Sequence, residues 1–141
     1  MIKISDNHGR SFIIIMLSIA ALAFFLRIGI EQIIKINIAQ NESNAAGTLK
    51  LVSAALENYA KDKDGSFPEK LSLLTQTTPP YLDKDYIEQV PIKGYSYVCS
   101  MLTPSDYLCS AVPVKCNVTG KIIYTITTGG LLISEKCSNK E

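Results

Sequence analysis

Residues 12–30 (FIIIMLSIAALAFFLRIGI) form one apolar run that passes without a break into an amphipathic helical pattern, which ends at Asp64-Gly65-Ser66-Phe67-Pro68. As a helix, at about 1.5 Å rise per residue, the run is about 28 Å long, close to the hydrocarbon thickness of a bilayer. Residues 12–26 carry no charge, and Arg27 sits one turn from the end of the run, where its stem stays in lipid while the guanidinium reaches the interface. A run apolar on every face does not suit the one-sided core helix of a soluble domain. A cleaved secretory signal is the competing reading. Ala21-Leu22-Ala23 fits the small-x-small rule, but Phe24-Phe25-Leu26 carry the apolar stretch past that cut. Lys3 and Arg10 outnumber Asp6 ahead of the run, so the positive-inside rule places the N-terminus in the cytoplasm and all that follows Ile30 outside. The organisation expected is a cytoplasmic tail over 1–11, a transmembrane part over 12–30 and an exported head over 31–141.

Residues 31–63 contain no proline and one glycine, Gly47. Ile34, Ile38, Ala45, Leu49, Val52, Leu56 and Tyr59 are apolar, and from Ala45 their spacing of four, three, four and three draws one stripe along a helix. Lys50, Ser53, Glu57 and Lys61 fall on other faces. The polar stretch 40–44 is weakly helical and marks a place for a kink or local melting. With the membrane segment, the helix would run to about fifty residues, far above the usual soluble length. Gly65 supplies a left-handed stop and Pro68 opens a short second helix carrying Leu71 and Leu74. The runs 95–101 (YSYVCSM), 107–112 (YLCSAV), 121–127 (KIIYTIT) and 131–134 (LLIS) read as strands, because aromatic and β-branched residues dominate them. Their short connections predict an antiparallel meander resting on the amphipathic helix, an α+β fold.

About 110 residues remain beyond the tail and the apolar run, enough for one small domain. From Asp64 onward seven lysines face eight acids, so no basic surface for nucleic acid is implied. The four cysteines, Cys99, Cys109, Cys116 and Cys137, lack the paired spacing of zinc or thioredoxin-like sites. In an exported domain an even count reads as two disulfides, with three pairings open. The local pairing, Cys99 with Cys109 and Cys116 with Cys137, is favoured because each bond closes a loop across adjacent predicted strands.

The chain resembles the type IV pilin-like proteins and is most similar to the major pseudopilins of type II secretion systems. Three features carry the resemblance over nearly the whole chain: the fused membrane and amphipathic helix; Leu56-x-x-Tyr59 followed by Asp64-Gly65-Ser66-Phe67-Pro68-x-x-Leu71-x-x-Leu74; and Tyr107-Leu108-Cys109-Ser110-Ala111-Val112-Pro113 with Thr119-Gly120 and Gly129-Gly130. It implies a filament subunit in the inner membrane, with related pilin or pseudopilin subunits as partners. It also implies processing by a prepilin peptidase and methylation. Gly9 is the one candidate for the residue before the cut, and Arg10 would become the first mature residue. Ile14 then stands where the family carries a glutamate. Without that carboxylate an intramembrane ion pair is missing, which suits a minor subunit or a stationary anchored relative better than a typical major pilin. Asp106 and Glu135 are the only acids offered by the last hairpins, so no calcium site, and no other cofactor, is carried over.

Asp62, Asp64, Asp83 and Asp85 suit solvated loops better than a metal site. Asn41-Glu42-Ser43 and Asn117-Val118-Thr119 match the glycosylation pattern, a triplet common by chance, and Asn117 reads as a turn residue. Tyr81, Tyr86, Tyr95, Tyr97 and Tyr107 suit the cover of a half-buried sheet better than a ligand platform. The only histidine is His8, in the tail, so serine, cysteine or threonine nucleophiles lack that base. The expectation is therefore a non-enzymatic structural subunit. A tethered periplasmic binding or sensory domain is the alternative from another class, and a periplasmic hydrolase the third.

Overall fold

The computed structural model describes residues 7–87 and 91–138, with side chains from Phe12 onward. One long helix, α1 (Asn7–Asp62), is followed by a short 3-10 helix (Leu71–Leu74) and four strands: β1 (Tyr95–Leu102), β2 (Tyr107–Pro113), β3 (Ile122–Thr127) and β4 (Leu131–Lys136). Two compact units divide the chain, Met1–Ile36 and Asn37–Glu141. In the first, every described side chain from Phe12 to Ile36 is exposed.

The second unit is α+β, with its part of α1 packed against a four-stranded antiparallel sheet of order β1-β2-β3-β4. Period two explains the inner face: Tyr95 and Tyr97 of β1, then Tyr107, Cys109 and Ala111 of β2, are buried and alternate with more exposed neighbours. Cys109 stands opposite both Cys99 and Ile126, which fixes the register across three strands. On α1 the matching stripe is Ala45, Leu49, Val52, Leu56 and Ala60, with Ile38 buried two turns earlier. Ala55 joins the same core, whereas Ile34 is 47% exposed.

Three local expectations are corrected. Ser53, assigned by pattern to a solvent face, is buried and bonded to Tyr107. The stretch 40–44 does not melt; it is helical throughout. Its polar side chains are occupied instead: Asn41 Nδ2 donates to the Thr119 carbonyl at 3.0 Å, and Glu42 accepts the Lys121 backbone N–H at 2.7 Å. The strand β3 starts at Ile122 and not at Lys121. Pro68 does not sit in the first turn of the second helix, because Lys70 is extended and the 3-10 turn begins at Leu71. Leu71 and Leu74 are buried as expected.

The end of α1 follows from its last residues. The Gly65 N–H donates to the Ala60 carbonyl at 2.8 Å while Asp64 and Gly65 hold φ of 53° and 84°. This left-handed pair satisfies a carbonyl that the helix leaves open, and glycine takes it without steric cost.

Candidate membrane anchor and helix–head junction

The first unit contains a helix long and apolar enough to cross a membrane. Three of its polar side chains have partners one turn away on the helix. Ser18 Oγ donates to the Ile14 carbonyl one turn back at 2.8 Å, and Arg27 lies 3.6 Å from Glu31 at the i, i+4 spacing. Gly9 and Arg10 belong to α1 by backbone, while their side-chain surroundings lie outside the described residues.

The residues Leu56, Tyr59, Gly65, Phe67 and Pro68 come together where α1 meets the head. Leu56 and Phe67 share the buried core and Tyr59 packs against it. Phe67 meets Tyr107 edge-on at 5.0 Å, and Tyr59 meets Tyr81 edge-on at 5.6 Å. Pro68 is buried, and the Phe67 N–H donates to the Pro104 carbonyl at 2.9 Å, so the chain leaving the helix is held against the β1–β2 turn. Apolar spacing did not reveal the polar centre of this junction. Tyr107 Oη donates to Glu57 Oε1 at 2.9 Å and lies 2.7 Å from Ser53 Oγ, which completes the chain as donor. The same Glu57 oxygen accepts the Gly129 N–H at 2.8 Å. Glu57 thus ties α1 to β2 and to the turn before β4. The available signal was its position four residues after Ser53, itself four after Leu49.

The other end of the head is fastened by a loop and a disulfide. Cys116 is bonded to Cys137 with Cα atoms 5.9 Å apart, and Cys99 to Cys109 across β1 and β2 at 3.9 Å. Asn117 takes a positive φ of 64° in an exposed turn, which suits asparagine. Lys93 Nζ reaches Asn44 Oδ1 at 3.3 Å. Within the hairpin stack, the fully buried Tyr95 donates its hydroxyl to the Ile122 carbonyl at 2.8 Å.

Burial is the main cause that pushes the Tyr95 hydroxyl from 10.0 up to about 12, helped by the nearby charge of Glu42. Burial also raises Tyr97 and Tyr107. The folded head therefore holds these protons more tightly than the unfolded chain. Their stabilising contribution is complete below the unfolded tyrosine pKa of about 10 and is lost as pH rises toward about 12. Far-ultraviolet circular dichroism should show the head losing stability between those limits; a Tm unchanged from pH 9 to 12, at about two-degree precision, would contradict the buried setting of Tyr95.

The acids singled out in the sequence serve the loops. Asp62 accepts from Tyr81, Asp83 from Tyr86 at 3.0 Å, and Asp85 from the Ile87 N–H at 2.8 Å. Among the described residues no group of three histidine, cysteine or acidic side chains is placed to hold a metal. Tyr95, Tyr97 and Tyr107 line the buried side of the sheet, with Tyr81 and Tyr86 packed at the border of the core. The chain matches no protein-family model, no curated protein and no solved structure.

Proposed function

We propose that this chain is a structural subunit of a type IV pilus or type II secretion pseudopilus, held in the inner membrane by α1 with its head outside the cytoplasm. One observation carries the reading: a single helix, Asn7–Asp62, carries an apolar run over 12–30 whose side chains are all exposed, and buries one stripe under a disulfide-bearing sheet toward its end. An exposed apolar helix needs lipid or like helices around it. Packing of neighbouring α1 segments would meet that need, first in the bilayer and then in a filament. The partners are then other pilin or pseudopilin subunits, with a prepilin peptidase acting once. In this role the protein supplies a helix for assembly and a head for display, and performs no catalysis.

A second reading, a tethered periplasmic binding or sensory domain that never assembles, is favoured by one specific observation. Ile14 occupies the position where the processed family carries its glutamate, if cleavage follows Gly9. Intact mass of the protein from native membranes, measured without reductant, separates the two. Loss of residues 1–9, together with recovery in sedimentable filaments, is the result expected for the subunit. A full-length chain that stays monomeric in mild detergent would select the tether and overturn the filament.

A further inference from the structure

The end of the head nearest in sequence to the apolar segment has an unusual surface. The loop 114–121 is joined to residues 41 and 42 of α1 through the Thr119 carbonyl and the Lys121 N–H. It exposes two apolar side chains, Val114 at 56% and Val118 at 52%. Around them stand four exposed lysines: Lys115 and Lys121 on the loop, Lys136 beside Lys121, and Lys93 bonded to Asn44. Among the described residues the acids at this end are Glu42, occupied by the Lys121 backbone, and Glu135 on β4. Disulfide Cys116–Cys137 and the Asn117 N–H to Gly120 carbonyl bond at 2.8 Å hold the loop in shape. At the far end of α1 the balance is different, with Asp62 and Asp64 beside Lys61 and Lys63.

Apolar tips ringed by lysines match the interface of an anionic membrane: the tips enter the headgroup layer and the ammonium groups meet phosphate. Chain length makes the encounter local. Only ten residues lie between Ile30 and Asn41, so the residues that hold this loop follow the apolar run closely in sequence. We propose that the loop 114–121, with Lys93 and Lys136, docks on anionic lipid headgroups of the bilayer that α1 spans. This rests on the membrane reading above. Docking holds an unassembled subunit down on the membrane, and extraction into a filament must release it.

The chain contains no tryptophan, so Val118→Trp introduces a single reporter at an exposed position. The full-length variant is reconstituted in vesicles of phosphatidylcholine alone or of phosphatidylcholine with phosphatidylglycerol. Gln76→Trp, on an exposed site of the segment that follows the 3-10 helix, is the control. The expected result is a blue-shifted emission, quenched by brominated lipid, only at position 118 and only with phosphatidylglycerol. High salt should reverse it, and each Lys→Gln change at 93, 115, 121 or 136 should weaken it by about fivefold in apparent association. Emission equal in the two lipids would overturn the proposal. So would a shift that follows protein density and not lipid charge, which would assign the loop to a second copy of the chain. Resistance of the same vesicles to alkaline extraction is scored separately. If the protein washes off, the anchor reading fails; if it stays and the emission does not move, only the docking fails.

Discussion

Replacing Leu56 with aspartate will unfold the head at ambient temperature. Leu56 is fully buried in the stripe that α1 turns toward the sheet. Removing a buried leucine side chain costs about 2–5 kcal/mol before any new group is placed there. A carboxylate in that position adds a desolvation cost of several kcal/mol, because the surroundings named above are apolar. A domain of this size has about 5–15 kcal/mol of stability in all. Limited proteolysis of the full-length protein in mild detergent should therefore digest the variant's head while the parent resists. Leu51→Asp is the control, since Leu51 lies on the same helix but is 48% exposed, and its change should stay within about 0.5 kcal/mol. Parental protease resistance in Leu56→Asp would refute the packing of helix on sheet.

That packing was legible because it depends on spacing. Ala45, Leu49, Val52 and Leu56 repeat at the helical period, and the tyrosines of β1 and β2 alternate at the strand period, so burial could be assigned to each without tertiary information. The connections of the meander were short enough to exclude crossovers. Polar residues carried no such signal. Ser53 and Glu57 read as solvent-facing because a hydroxyl and a carboxylate usually are, yet Tyr107 brings its own hydroxyl into the interface and needs partners there. The stretch 40–44 misled for the same reason. Its weak helix propensity is outweighed once Asn41 and Glu42 satisfy backbone groups of the loop 114–121, a contact about eighty positions away in sequence that no local window contains. Pro68 read as a helix starter through its fixed φ, but the chain there is spent on burying Phe67 and Pro68 against the head. The long apolar run was the plainest feature of the sequence and the surface around the loop 114–121 the least plain. Val114, Val118 and the lysines around them belong to separate segments, and only the fold makes them one surface.

Gly120→Ala should lower the stability of the head by about 3 kcal/mol, and the cause can be isolated. A Cβ built at Gly120 would lie 2.6 Å from Cζ and 2.7 Å from Cε2 of Tyr95, with the hydroxyl oxygen closer still. The ring has nowhere to go: Tyr95 is fully buried, and its hydroxyl is bonded to the Ile122 carbonyl. The variant must displace the ring and break that bond, or pull Gly120 off its carbonyl bond with the Asn117 N–H. Gly120 has no positive φ, so alanine meets no backbone penalty and the effect is one of contact alone. For a head of about 100 residues the loss corresponds to a fall in Tm of about 15 °C. Tyr95→Leu shortens the side chain and removes the clash at its own cost in buried area. The double variant should then be more stable than the sum of the two single changes predicts, by about 1–2 kcal/mol. Additive effects would mean that Gly120 and Tyr95 do not touch, and that the loop 114–121 is not seated on the sheet in the way its bonds to α1 require.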